Sequence, residues 1–203
     1  MQELPACRVL PVLTVADAAQ AVRIATALQA GGMRAVEITL RTPAALTALR
    51  QVKVALPGLL VGAGTVTTAQ DVERAVAAGA DFCVSPGISV ELIDACAARG
   101  MPFLPGVATA SEAMLGARHG FKVLKLFPAA AAGGIALLKS LHGPFPELRF
   151  CPTGGLGPDN FRDYLALPNV VCCGGSWMVA PELVQHGRWP EIERLAREAL
   201  RAQ

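Results

Sequence analysis

Short β-branched and aromatic runs alternate with Ala- and Leu-rich stretches along the chain, and the alternation repeats about every 20 to 30 residues, as βα units do. Eight runs read as strands: Val9 to Leu13, Ala35 to Leu40, Leu59 to Gly62, Phe82 to Val84, Phe103 to Pro105, Val123 to Phe127, Phe150 to Pro152 and Val170 to Cys173. Between them the pattern predicts helices, among them Ala16 to Ala30, Pro43 to Leu56, Ala69 to Ala78, Val90 to Arg99 and Ser111 to His119, with a last one at Pro190 to Ala202. Gly31, Gly79, Gly100 and Gly120 stand where a left-handed cap would end a helix. Eight such units predict an α/β fold of the TIM-type (β/α)8 barrel class, one domain over residues 1–203. A doubly wound open sheet is the runner-up; no Gly-x-Gly-x-x-Gly follows the first strand and no linker marks a second domain.

Two strands break the apolar pattern. In Val123-Leu124-Lys125-Leu126-Phe127-Pro128, strand alternation places Val123, Lys125 and Phe127 on one face and Leu124 and Leu126 on the other. An ammonium among Val and Phe must be paired with a carboxylate or lose its proton, and a free amine is what Schiff-base chemistry needs. In Ala35-Val36-Glu37-Ile38-Thr39-Leu40-Arg41 the apolar set should pack against helices, which turns Glu37, Thr39 and Arg41 inward or toward the barrel mouth. Buried charges need partners. Lys125 offers one for Glu37, and a substrate carboxylate would suit the fork of the Arg41 guanidinium. A purely structural Glu-Arg-Lys cluster is the competing account, and a weak one, because apolar packing often replaces such clusters without loss of stability.

Composition narrows the function classes. With 53% hydrophobic and 17% charged residues the chain is not disordered. Its formal net charge of +2 comes without a basic run interleaved with aromatics, so a nucleic-acid footprint is missing and small anionic substrates remain. Cys7, Cys83, Cys96, Cys151, Cys172 and Cys173 lack the spacing of a zinc site or a disulfide scaffold and read as small core residues, with Cys172 and Cys173 pointing to opposite faces. His119, His142 and His186 lie away from the strand ends, which gives a histidine-ligated metal no support. No signal-like stretch opens the chain, and Tyr164 to Pro181, though uncharged, is interrupted by Pro168, Asn169, Gly174, Gly175 and Ser176; a cytoplasmic protein without a membrane span is expected.

Glycine pairs follow the last two strands, Thr153-Gly154-Gly155 and Gly174-Gly175-Ser176. Loops at these two places in a barrel commonly bind phosphate, because glycine lets backbone N–H groups approach an anion. Thr65, ending Gly62-Ala63-Gly64-Thr65, suits either a hydrogen bond to an acid group or a helix cap.

Seven ordered motifs now resemble one family across nearly the whole chain: Val36 to Thr42, Gly62 to Val66, Ser85-Pro86-Gly87, Pro105-Gly106, Lys125 to Ala129, Cys151 to Gly155 and Gly174 to Trp177. Together they resemble the bacterial class I aldolases for 2-keto-3-deoxy-6-phosphogluconate (KDPG) and 4-hydroxy-2-oxoglutarate (KHG). The resemblance implies a lyase that splits KDPG to pyruvate and glyceraldehyde 3-phosphate, and also KHG to pyruvate and glyoxylate. It implies that Lys125 forms the Schiff base with the substrate C2 carbonyl and that Glu37 shuttles protons. Arg41, helped by Thr65, would bind the pyruvate carboxylate, and Pro86 and Phe127 would line the pyruvyl group. Thr153, Gly154, Gly155, Gly175 and Ser176 would face the hydroxyls and phosphate. It further implies a homotrimer with no cofactor and no metal.

Two departures stand out. The segment before the first strand is very short, so the N-terminal helix many members carry is expected to be absent or reduced. Ala130 stands where many relatives have a glutamate. A sister aldolase for the galactonate epimer shares the lysine, glutamate and arginine. An isomerase or epimerase of the phosphate-binding barrel type, which forms no imine, is the rival from another class; a non-catalytic phosphosugar-binding barrel is the third reading.

Overall fold

The structure, a computed structural model, describes residues 8–201. Its strands are β1 (Val9–Leu13), β2 (Ala35–Thr39), β3 (Leu60–Gly64), β4 (Phe82–Val84), β5 (Phe103–Leu104), β6 (Gly106–Val107), β7 (Val123–Leu126), β8 (Arg149–Pro152) and β9 (Cys173–Gly175). The helices are α1 (Ala18–Ala30), α2 (Ala45–Ala55), α3 (Ala69–Ala77), α4 (Val90–Ala98), α5 (Ala110–Arg118), α6 (Gly134–His142), α7 (Phe161–Leu165), α8 (Pro181–Gln185) and α9 (Trp189–Leu200). All pairings are parallel: one sheet runs β5-β4-β3-β2-β1-β9 and another β6-β7-β8. The two sheets are arcs of one ring. β5 and β6 are a single stave interrupted at Pro105, and the other gap is bridged where Phe150 meets Val170 and Thr153 meets Gly174. The eight predicted staves therefore close as the TIM-type barrel expected.

Alternation along each stave divides the core in two. Val36, Ile38, Leu124, Leu126 and Cys173 join the apolar shell between ring and helices. Leu10, Ala35, Phe82, Val84, Leu104, Cys151 and Cys172 fill the ring's interior, with Leu60 and Val123 against them. Cys172 and Cys173 thus do point to opposite faces. Local caps start the helices: Asp17 accepts from Gln20 N–H at 2.8 Å ahead of α1, and Thr68 with Asp71 and Thr109 with Glu112 form reciprocal capping boxes on α3 and α5. No helix among the described residues is long and apolar enough to cross a membrane.

Several boundaries differ from expectation. The last strand is Cys173–Gly175 and not Val170 to Cys173, because its partner β1 pairs Val9, Leu10 and Pro11 with Cys173, Gly174 and Gly175. Gly174 and Gly175 are therefore stave residues, not a loop. β3 likewise runs on to Gly64 through full pairing with β2. Gly79, Gly100 and Gly120 have positive φ, but at the end of α1 it is Gly32 (φ 100°), while Gly31 stays right-handed, packed where a Cβ would meet Ala196. Cys7, the segment before it and the end of the last predicted helix at Ala202 lie outside the described residues.

Candidate active site

Lys125 on β7 and Glu37 on β2 meet inside the barrel mouth, although 88 residues separate them in sequence. Both are buried, at 5% and 1% exposure. The lysine Nζ donates to Glu37 Oε1 at 3.2 Å and Oε2 at 3.4 Å. Of the two fates open to a buried ammonium, this geometry is the paired one. The Phe127 ring lies with its centroid 5.2 Å from Nζ, so one flank of the amine is apolar and electron-rich. On β8 the register partner of Lys125 is Cys151. A hydrogen bond with Cys172 draws the Cys151 thiol below its ordinary pKa against the opposing effect of burial, with Lys125 and Thr153 adding to the lowering.

At the rim, Arg41 is exposed just past β2, and its Nε–H donates to Thr65 Oγ1 at 3.0 Å. The Arg41 guanidinium forms no ion pair among the described residues, which leaves the charge available to an anion. Thr65 is no helix cap, since Thr68 holds that role for α3. It is the one described non-glycine residue with positive φ, 58°. Holding a β-branched residue there costs about 1–3 kcal/mol, and what it secures is the contact with Arg41. Thr39, fully buried, donates to Leu13 carbonyl O at 3.0 Å and meets the Thr14 hydroxyl at 2.9 Å, so this inward polar group is satisfied within the scaffold.

Pro86 follows β4 in a turn tied down by Ser85. The Ser85 hydroxyl donates to Gly87 carbonyl O at 2.6 Å and accepts from Gly106 N–H at 3.3 Å. Gly106 is required there, because a Cβ would stand 2.3 Å from Pro86 O. Gly106 in turn pairs with Lys125. Buried Ser85 is thus a positioning group that strand patterning did not single out; its signal was the Ser85-Pro86-Gly87 motif itself.

Thr153 follows β8 and lies beside β9, where a Cβ on Gly174 would stand 2.2 Å from Thr153 Oγ1. Gly154 (φ 99°) and Gly155 (φ 77°) turn the chain against Phe127 and Ala130. Among the described residues, nothing accepts a hydrogen bond from the N–H groups of Gly154, Gly155 or Ser176. Ser176 and Arg41 also line one cavity of about 440 Å³ between the end of β1, α1 and α8. The sequence-predicted residues thus gather on the strand C-terminal side, with Lys125 and Glu37 deepest and Phe127 partly buried beside them. Arg41 and Thr65 form one side of the rim, and the Gly154-Gly155 turn after β8 and Ser176 just past β9 form another.

This arrangement supplies an amine next to a carboxylate, a guanidinium with no ion-pair partner among the described residues, and a row of open backbone donors. It suits imine chemistry on a small anionic carbonyl compound.

Known proteins share this sequence and fold. The family model for KDPG and KHG aldolase matches residues 1–195. A 2-dehydro-3-deoxy-phosphogluconate aldolase of Pseudomonas aeruginosa is 51% identical over 193 residues, which cover 95% of this chain and 88% of that protein. A crystal structure of KDPG aldolase from Legionella pneumophila, with pyruvate captured at low pH as a covalent carbinolamine intermediate, superposes with a TM-score of 0.93 at 45% identity, covering 96% of this chain and 95% of that one. The 2-keto-3-deoxy-6-phosphogluconate aldolase of Zymomonas mobilis, solved with 3-phosphoglycerate, gives a TM-score of 0.91 at 42% identity over 98% and 93% of the two chains. Match over the whole barrel, at such identity and with the amine–carboxylate pair at its mouth, means that this chain belongs to the KDPG and KHG aldolase family.

Proposed function

We propose that this protein is a class I aldolase, a lyase that cleaves KDPG to pyruvate and glyceraldehyde 3-phosphate and, as a second activity, KHG to pyruvate and glyoxylate. The observation that carries the reading is the Lys125 amine held 3.2 Å from the Glu37 carboxylate on the inner face of the barrel. In the reaction, Glu37 takes the proton from Lys125, and the free amine adds to the C2 carbonyl. Loss of water leaves a protonated imine that draws electrons from C3. Removal of the C4 hydroxyl proton then breaks the C3–C4 bond, and the enamine is protonated at C3 before hydrolysis frees pyruvate. One carboxylate that gives and takes a proton, through water where the distance requires it, serves every step.

The rim residues divide the substrate. Arg41, oriented by Thr65, binds the pyruvate carboxylate; Pro86 and Phe127 enclose the pyruvyl group and exclude water. Thr153, Gly175 and the N–H groups of Gly154, Gly155 and Ser176 face the hydroxyls and phosphate. Open donors at Gly154, Gly155 and Ser176 favour the phosphorylated substrate. The pyruvate and 3-phosphoglycerate found in the two related structures support a substrate with a pyruvyl part and a phosphorylated part. A homotrimer, expected from the family resemblance, and a cytoplasmic location belong to the same proposal.

Borohydride reduction in the presence of pyruvate, followed by peptide mass mapping, tests the nucleophile without presuming the full substrate. A reduced pyruvate adduct on the Lys125 peptide is expected. A folded sample without that adduct refutes the imine mechanism and favours an isomerase. Rates on the gluconate and galactonate epimers then decide the substrate.

A further inference from the structure

The inward positions of β3 are Leu60, Gly62 and Gly64, and the two glycines make room for different things. A Cβ on Gly62 would meet the Phe82 ring, which is core. A Cβ on Gly64 would stand 2.2 Å from Glu37 Oε1, 2.6 Å from its Cγ and 2.7 Å from its Cδ. Carbon contacts settle at about 3.5–4.0 Å, so those atoms could not remain where they are. Neither backbone can retreat. Gly64 carbonyl O accepts from Leu40 N–H at 2.8 Å, and Val66 N–H donates to Val84 O at 3.1 Å just beyond it. Glu37 is pinned between Val36 and Ile38, both fully buried in the outer shell. The soft element is the carboxyl arm itself.

We infer that Gly64 is a positioning residue for the proton carrier: the missing side chain forms the notch in which the Glu37 arm lies, and the notch sets the carboxylate against Lys125. The inference rests on the reading of Glu37 as proton carrier. A methyl at position 64 turns the arm aside and separates carboxylate from amine, while Lys125, on β7, keeps its place. Imine formation with pyruvate then still reaches its end point, whereas proton transfer at C3 slows.

The test uses full-length Gly64→Ala, Glu37→Gln and the double variant. Exchange of the pyruvate C3 protons with deuterium is followed by NMR, and the final extent of borohydride trapping on Lys125 is measured in parallel. Gly64→Ala is expected to slow exchange by about 10²–10⁴-fold, the usual contribution of a positioned acid–base group, with trapping retained. Adding it to Glu37→Gln should cost less than about threefold more, since both changes act through one side chain. Exchange near the wild-type rate in Gly64→Ala, with Glu37→Gln slow, overturns the role of Gly64 alone. Equal losses from Gly64→Ala in both backgrounds overturn it too. Fast exchange in Glu37→Gln removes the proton-carrier reading and this inference with it. Should Gly64→Ala fail to fold, Gly64→Ala/Glu37→Ala, which lacks the obstructing arm, is expected to fold with the thermal midpoint of Glu37→Ala; a midpoint still depressed overturns the notch.

Discussion

Thr65 offers a perturbation in which function should change while stability stays nearly level. Its φ of 58° puts a β-branched residue in left-handed backbone, at a cost of about 1–3 kcal/mol. Thr65→Gly removes that strain. It also loosens the unfolded chain, which takes back roughly 0.5–1 kcal/mol, and it gives up one rim hydrogen bond from Arg41 at 3.0 Å, worth about 0.5–1.5 kcal/mol at most. The terms run from a loss of about 1.5 to a gain of about 2 kcal/mol and nearly cancel at their centres, and 1 kcal/mol is roughly 2–4 °C in Tm for a domain of this size. Thermal unfolding should therefore give a midpoint within a few degrees of the wild type. Steady-state cleavage should change clearly. Arg41 loses its orienting acceptor, and KM for the keto acid should rise about tenfold, equivalent to about 1.4 kcal/mol of binding. A midpoint more than about 6 °C lower would refute the strain argument, since it would mean that Thr65 stabilises its own conformation. An unchanged KM would refute the claim that the contact with Arg41 is what the strain maintains.

Other consequences are as concrete. Ser85→Ala leaves the buried Gly106 N–H and the Gly87 carbonyl without their partner; a loss of about 1–3 kcal/mol in denaturant unfolding is expected, and an unchanged midpoint would show that Pro86 is held by packing instead. Arg41→Lys keeps the charge but loses the planar fork and the Nε–H bond to Thr65, so KM should rise while the pyruvate adduct on Lys125 still forms; an unchanged KM argues against carboxylate binding there. In the two capping boxes, partial burial raises the Asp71 and Glu112 carboxyls, but hydrogen bonds from Thr67 and Thr68, and from Ala108 and Thr109, outweigh it and hold both below their ordinary values of 3.8 and 4.5. Since the native values are depressed, this stability is complete above the ordinary values and is lost as pH falls through the native ones. Thr68→Ala and Thr109→Ala should therefore narrow their stability gap to the wild type in acid, as unfolding curves at successive pH values would reveal; a gap independent of pH refutes it.

Most of the barrel was legible because strand periodicity is local. Alternation alone put Lys125 and Phe127 on the face opposite Leu124 and Leu126, and turned Glu37 away from Val36 and Ile38; the structure places those sets in the ring interior and the outer shell respectively. Errors fell where a distant partner defines an element. β9 begins at Cys173 because β1 offers its pairing groups there, and two glycines with little strand propensity are drawn into the ladder. Gly31 was a reasonable cap, yet α9 packs so close that its Cβ would meet Ala196, and the left-handed turn moves to Gly32.

The amino-acid sequence by itself determined the parallel α/β class, the number of staves and the set of polar residues that the barrel must turn inward, because each follows from side chains pointing alternately to two faces. Tertiary structure alone decided which of those residues meet. The pairing of Lys125 with Glu37, the settling of Thr39 on Leu13 and Thr14, the strained contact of Thr65 with Arg41, and the fit of the Glu37 arm against Gly64 all join separate staves. Strand alternation specifies direction along one stave, but distance across the barrel depends on how the ring closes, and closure is a property of all eight staves at once.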